Sequence, residues 1–535
     1  MDSFIEDKVW LGFDLSTQQL KSIAINENLE VVCEASVQFD SDLPEFRTTG
    51  GVHRHEDNQT ATAPVLMWVK ALELILDRLR VNGLDFSQVV GISGSGQQHG
   101  SVYWKRGARA VLQSLQGGKF LHEQLSQCFA LGESPIWMDS STSRECRQLE
   151  AHLGGAQHLA EVTGSRAYER FTASQIAKIA HTKAEVYSST ERISLVSSFL
   201  ASLFIGDYAP IDLSDGSGMN LLDIKEKRWS SECLQFCGTE LEAKLGSEVV
   251  PSSQVIGPLS EYFVERYGFH KDCYVVAFTG DNPASLAGMC LGPNDVAISL
   301  GTSDTAFLSL STPKPALDGH IFCNPINEEH FMGLICFKNG SLTRERIRNT
   351  CADASWDIFN QLLESTPRGA FGNIGFYLDL PEIYPVVSGD FRYNRFDNEV
   401  TSFAAEVEIR ACVESQFLRL RIHAENLGFK RSNSTRVLAT GGASANHSII
   451  AVLADVFNAP VYTYSIPNSA VLGSALLAKY AKEKETTSYY DMVLKLNANF
   501  KLVTKPSPDA GEIYDSLAER YRKLEDKLES KANGD

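Results

Sequence analysis

Several familiar features are missing from this chain, and each absence narrows what it can be. No apolar run approaches the roughly 18 to 20 residues of a membrane-crossing helix, so no spanning segment is expected. The first residues, MDSFIEDKVWLGFD, are acidic and lack a secretion signal's basic opening and apolar centre, which leads to the expectation of a cytoplasmic protein. Long linkers and low-complexity stretches are absent. So are the GxGxxG dinucleotide fingerprint and the GxxxxGK[ST] phosphate loop; a nucleotide, if bound, is held without a Walker lysine. The eleven cysteines are scattered, and Cys233 with Cys237 finds no second pair to complete a zinc-like set, so reduced and mostly buried thiols are expected. Positive charge is scarce too. With 49 basic against 67 acidic residues the net charge is −18, which argues against nonspecific nucleic-acid binding. An anionic substrate would need local donors or a metal.

What is present is an ordinary globular composition, 43% hydrophobic and 22% charged, on a 535-residue chain too long for one core. Residues 8–39 read as a three-strand meander, with a tight turn at Leu15–Gln19 and another at Asn26–Asn28. A helix is expected from Ala63 to Val81, capped at Thr62, with Leu66, Val69, Leu72, Leu76 and Leu79 as one core-facing stripe. Asp139 or Ser140 is expected to cap a helix within 135–150, Thr172 or Ser174 one that follows, and further helix is expected over 190–205. The tail, with Ile513, Leu517, Tyr521, Leu524 and Leu528 among charges, reads as an amphipathic helix.

Five stretches carry polar chemistry. In FTGDNPASLAG, residues 278–288, an apolar strand ends in Gly280 and presents Asp281 and Asn282; Asp281 is either the cap of the following helix or a reactive carboxylate. VVGISGSGQQHGS, residues 89–101, runs a strand of small residues into a glycine-rich turn holding Gln97, Gln98 and His99, where backbone can approach a ligand closely. Trp137 beside Asp139 is either a sugar-pocket pair or tight turn packing, and Arg170 before Phe171 either a surface ion pair or a pocket donor. Asp212 and Asp215 in IDLSDGSG read as turn residues that satisfy their own backbone.

The second half restates the first. DVAISLGTSDTAFLSLS at 295–311 repeats the strand–turn–strand of VWLGFDLSTQQLKSIAI, with Asp14–Thr17 aligned on Ser299–Thr302. Each turn can present N–H groups and hydroxyls to an anion, and two such nests from two copies of one domain could bracket a nucleotide's phosphates. Farther on, TRVLATGGASANHSIIAVLADVFNAPVYT reads strand, Gly441–Gly442 turn, helix starting at Ser444 or Asn446, strand; NSAVLGSALLAKY at 468–480 is a small-residue helix suited to close packing.

Taken together, GFDLSTQQLK (12–21), GQQHG (96–100), WMDSS (137–141), ERFTASQIAK (169–178), DLSDGSG (212–218), TGDNPASLAG (279–288), SLGTSDTAF (299–307) and TGGASANHSI (440–449) resemble the FGGY family of carbohydrate kinases, most closely its xylulose-phosphorylating branch of animal type. The resemblance implies an α/β fold of duplicated actin-like (ribonuclease H-like) ATPase domains around a central cleft: a sugar-binding domain at 1–272 and a nucleotide-binding domain at 273–535. It implies ATP-dependent phosphorylation of D-xylulose at C5, with Asp281 as the catalytic base and the two domains closing on sugar and Mg-ATP. By the same resemblance Asn282, His99, Gln98 and Arg170 contact the sugar, and Asp14 stands near Mg²⁺. Thr17, Gly301 and Thr302 would face the phosphates, and Gly441, Gly442, Asn446 and Trp356 the adenosine. Asp14 and Asp281 would then come from different domains. The implied partners are a small sugar and ATP, without nucleic acid or membrane, in a monomer or homodimer. Bacterial relatives read GQMHG where this chain has GQQHG, and carry a third glycine where it has GGAS; these departures bear on sugar specificity more than on the reaction.

Overall fold

A computed structural model describes residues 7–292, 294–464, 468–497 and 499–533; the acidic opening, residues 1–6, lies outside them. The chain divides into two compact units. One comprises Met1–Cys290 with Ile321–His330 and Ile466–Leu496, the other Leu291–His320, Phe331–Ser465 and Asn497–Asp535.

The division falls after Cys290 and not after residue 272, and the reason is pairing. In the first unit β1 (Val9–Leu15), β2 (Gln19–Ile25) and β3 (Val31–Gln38) form the expected antiparallel meander. Helix α1 (Val65–Val81) leads to β4 (Val89–Gly96), which lies parallel to β1. Beyond β4 lie β6 (Tyr274–Val276), parallel to it, and β5 (Val255–Pro258), antiparallel to β6. A boundary at 272 would cut β6 from its sheet. Strand β1 is buried along its whole length, as expected of a strand covered on both faces.

Helix α3 (Asp281–Gly288) follows and packs on the helix Ser469–Glu483. A Cβ on Gly288 would sit 1.9 Å from the Ser469 carbonyl oxygen, and one on Gly473 1.9 Å from that of Ala284. The close packing expected of the small-residue segment is therefore a backbone-to-backbone approach that only glycine allows.

The second unit repeats the pattern strand for strand. β7 (Val296–Leu300) pairs antiparallel with β8 (Asp304–Leu310), and β8 with β9 (Phe331–Phe337). On its other side β7 runs parallel to β10 (Val437–Thr440), β10 parallel to β11 (Val461–Thr463), and β12 (Lys501–Thr504) returns antiparallel. Six strands thus share one order and one set of directions in both units. The duplication seen in one hairpin extends to six of the seven strands of each sheet.

Local corrections have local causes. Helix α1 begins at Val65, because Thr62–Pro64 belong to a short strand against Glu133–Pro135, and the Thr62 hydroxyl donates to Glu133 (2.9 Å) instead of capping. Residues Thr190–Leu195 form a strand paired with Ser101–Lys105, so helix starts only at Val196. The helix Ser143–His152 carries no side-chain cap, since Asp139 instead takes the Ala61 and Ser141 amides. The tail helix spans Ala510–Asn533 and buries Leu517, Tyr521, Leu524 and Leu528. No helix among the described residues is long and apolar enough to cross a membrane.

Candidate active site

The ends of β1 and β4 and the start of α3 bring acids and amides together within the first unit. Asp14, near the end of β1, accepts from the Ser95 hydroxyl of β4 at 2.9 Å. Burial pushes its carboxyl up to about 6, against the pull of that hydrogen bond and of Lys21.

Asp281 is the first residue inside α3; the cap position belongs to Gly280. That removes the capping alternative. The Asn282 backbone N–H donates to Asp281 Oδ1 at 2.8 Å, and Asn282 Nδ2 lies 3.2 Å from the same oxygen. Desolvation, then the charge of Asp14, pushes the Asp281 carboxyl up to about 7. Asp14 and Asp281 belong to the same unit, which corrects the expectation that each domain supplies one.

Gln98 accepts from Asn282 Nδ2 (2.9 Å) through Oε1, and its Nε2 donates to Asp215 Oδ1 (3.4 Å). A Cβ on Gly280 would fall 2.5 Å from Gln98 Cγ and 2.7 Å from Asp215 Oδ1, so glycine is required for this packing. Asp215 also accepts from the Ser197 hydroxyl at 2.5 Å. Asp212 does behave as a turn residue: it caps Leu213–Gly216 and takes the Ser252 hydroxyl (2.5 Å). Burial pushes Asp212 up to about 6, and burial with the charge of Asp212 beside it holds Asp215 well above the carboxylate range. The turn reading covers Asp212 but misses what the Asp215 side chain does.

His99 sits in left-handed backbone, φ 74°, an uncommon conformation for a side-chain-bearing residue and one that gathers at functional sites. Its Nδ1–H donates to the Gly218 carbonyl at 2.7 Å, and its ring stacks on Phe171 at 4.3 Å. Burial, with Arg170 nearby, lowers its pKa to about 3, so the imidazole is neutral. Arg170 lies over the rings of Tyr168 (4.8 Å) and Phe171 (5.5 Å). Helix α2 (Thr172–Thr182) has no side-chain cap: Phe171 holds the cap position, and Thr172, already inside the helix, donates its hydroxyl to the His99 carbonyl (3.0 Å). The turn and the helix start are thereby tied.

Trp137 is 44% exposed, and its indole N–H donates to Thr17 Oγ1 (2.8 Å) in the first hairpin turn. Asp139 instead turns inward to Gln175 (2.8 Å) and the loop amides, so the two do not act as a pair. Gln97 is 1% exposed, and neither end of its amide has a hydrogen-bond partner among the described residues. Sequence reasoning placed it in the turn with Gln98 and His99 but gave it no role; a polar residue continuing a buried strand was the signal available.

The second unit gathers the remaining residues. In the turn after β7, the Gly301 and Thr302 carbonyls accept from Ser341 N–H (2.8 Å) and Gly340 N–H (3.2 Å). Gly441, φ 82°, packs on Leu300, where a Cβ would meet the carbonyl oxygen at 2.5 Å. Gly442 starts a short 3₁₀ turn ending at Ala445. Asn446 caps α7 (His447–Phe457), accepting from Ser448 and Ile449 N–H, and its Nδ2 donates to Asn360 Oδ1 (2.9 Å). Asn360 lies one turn after Trp356 on α5 (Trp356–Ser365), on the same face of that helix. The Arg348 guanidinium covers the indole at 4.6 Å.

Family models match both halves: the N-terminal domain of the FGGY family of carbohydrate kinases at residues 123–288 and its C-terminal domain at 296–482. The xylulose kinase of Rattus norvegicus is 56% identical over 524 residues, covering 98% of each chain. The chain belongs to the FGGY family of carbohydrate kinases. A second relative, xylulose kinase 2 of Arabidopsis thaliana, is 48% identical over 89% of this chain and 87% of its own. The xylulose kinase structure from Rhodospirillum rubrum superposes with TM-score 0.79 at 17% identity, over 97% of this chain and 99% of that one, and shows the same two-domain fold. As an FGGY member the chain is an enzyme, a carbohydrate kinase.

Proposed function

We propose that this kinase transfers the γ-phosphoryl group of ATP to the C5 hydroxyl of D-xylulose, giving D-xylulose 5-phosphate and ADP, with Asp281 as general base. The observation that carries the reading is Asp281 itself: a carboxylate at a helix start, held by Asn282 and raised to about 7 beside a second acid. An ordinary aspartate near 4 is a poor proton acceptor for an alcohol; one near 7 is matched to neutral pH. The similarity to xylulose kinases supports the choice of sugar.

His99, Asn282 and Arg170 are the proposed sugar contacts. A neutral imidazole with Nδ1–H committed to Gly218 leaves Nε2 as an acceptor for a sugar hydroxyl. Gln98 contributes from behind Asn282. Thr17, Gly301 and Thr302 are assigned to the phosphates, and Gly441, Gly442, Asn446 and Trp356 to the adenosine.

A divalent cation fits the residues at Asp14: an acid buried with one hydroxyl donor, together with the Gln97 amide just past the end of β4, which has no partner among the described residues, offers the hard oxygen ligands magnesium takes. Magnesium bound there with the nucleotide would neutralise charge on the transferring group. Closure of the two units on their ligands, which would exclude water from the reaction, belongs to the same reading.

ADP release measured over a panel of pentuloses and polyols tests it. D-xylulose is expected to give the highest kcat/KM; a strong preference for glycerol, ribulose or gluconate would overturn the choice of sugar.

A further inference from the structure

We propose that Asp215 is a positioning residue for the sugar site, acting through Gln98 and Asn282 on the Asp281 carboxylate; this rests on the role given to Asp281 above. Five side chains run in one hydrogen-bonded line: the Ser197 hydroxyl to Asp215 (2.5 Å), Gln98 Nε2 to Asp215 (3.4 Å), and Asn282 Nδ2 to both Gln98 Oε1 (2.9 Å) and Asp281 Oδ1 (3.2 Å).

The line matters because a side-chain amide has two orientations of equal shape, related by a half-turn. With Oε1 toward Asn282, Gln98 accepts from that residue's NH₂. After a half-turn two NH₂ groups would face each other, and Asn282 would lose its anchor. Asp215 selects the first state, because its Oδ1 gives Nε2 an acceptor on the far side. Gly280 then fixes the spacing, since any side chain there would strike both Gln98 and Asp215.

Asp215 is itself held in place. Ser197 occupies Oδ2, and the neighbouring Asp212 is occupied by Ser252 and by the Ser214 and Asp215 amides, so it does not compete for Gln98. Asp215 is 1% exposed and Gln98 3%, so no water replaces the missing partner cheaply if either is truncated. Both ends of the Gln98 amide are thus engaged by protein. Its influence on the sugar runs through Asn282 and Asp281.

A mutant cycle tests this. Asp215→Ala and Gln98→Met are assayed singly and together, with the sugar that wild type turns over fastest in the panel. Each single variant should lose about 10- to 100-fold in kcat/KM for sugar, the scale of one buried hydrogen bond. KM for ATP and ADP affinity should stay near wild type. In the Gln98→Met background Asp215→Ala should cost less than about 3-fold, because the link it acts through is already gone. Asp215→Asn keeps an acceptor for Nε2 and should stay within about 3-fold of wild type.

Equal losses from Asp215→Ala in both backgrounds would overturn the proposal, as would an Asp215→Asn variant as impaired as Asp215→Ala. If the alanine variant does not fold, Asp215→Ser takes its place in the same cycle. A D-xylulose preference that fails while the cycle couples defeats the choice of sugar alone; a wild type that phosphorylates no sugar defeats both.

Discussion

Each unit of this kinase buries a cluster of charge, and the two clusters are built on opposite rules. In the first unit Asp14, Asp212, Asp215 and Asp281 are surrounded by hydroxyls and amides, and burial raises all four. In the second, acids meet cations along α6 (Ala405–Asn426). Arg344 forks onto Asp304 (2.6 and 3.0 Å), and Gln416 of α6 accepts from it (2.8 Å). Arg410 bonds Glu414 (2.6 Å), and His423 lies between Asp318 and Glu525. The paired cluster sits behind the Gly301–Thr302 turn, where Gln416 Nε2 holds the Asn339 and Gly340 carbonyls. An acid left without a cation costs stability and is kept where its altered basicity is used; a paired one builds a frame.

The largest effect that would break this contrast comes from Asp281→Ala. It should lower kcat by about 10²- to 10⁴-fold, the range of a positioned base, while ADP affinity measured by calorimetry is retained. Because its raised pKa makes the charged carboxylate a burden on the fold at pH 7, Tm should not fall. Near-normal turnover would remove Asp281 from the chemistry.

In the second unit the expected change is in stability. Arg344→Met leaves Asp304 buried and unpaired, and should destabilise by about 3–5 kcal/mol. Asp304→Leu with Arg344→Met should recover most of that in a denaturation series. A double variant as unstable as the single would mean the pair is not the unit of stability.

A smaller effect separates the clusters by pH. Between its two acids His423 has a pKa raised to about 10. A raised histidine stabilises the fold fully below its unfolded pKa near 6.5, and the contribution fades as pH rises toward 10. The Tm gap between wild type and His423→Gln should therefore shrink from pH 6 to pH 10; a gap that widens would contradict the pairing.

How much of this was legible in the sequence depended on distance along the chain. The meander of residues 8–39 and the repeat at 295–311 are local patterns, and both hairpins form where expected. The matching of six strands was not legible, because β6 pairs with a strand far earlier in the chain and period alone does not choose partners. Helix α6 escapes pattern reading for a physical reason: charges at nearly every turn spoil its apolar stripe, yet Glu408, Arg410, Glu414, Arg419 and Arg421 are buried against partners. Asp281 was open between cap and reactive acid, and backbone geometry decided against the cap by placing Gly280 there. Asp215 was hidden by Asp212, because DLSD does form a capping turn and only the fold shows its second acid facing Gln98.

The most direct test of the contrast is the pH dependence of kcat/KM for D-xylulose at saturating Mg-ATP. The account predicts an acid limb with its midpoint near 7, falling tenfold per pH unit below it and steepening below about 6, where the Asp14 carboxyl also takes up a proton. A profile flat down to pH 5 would contradict it.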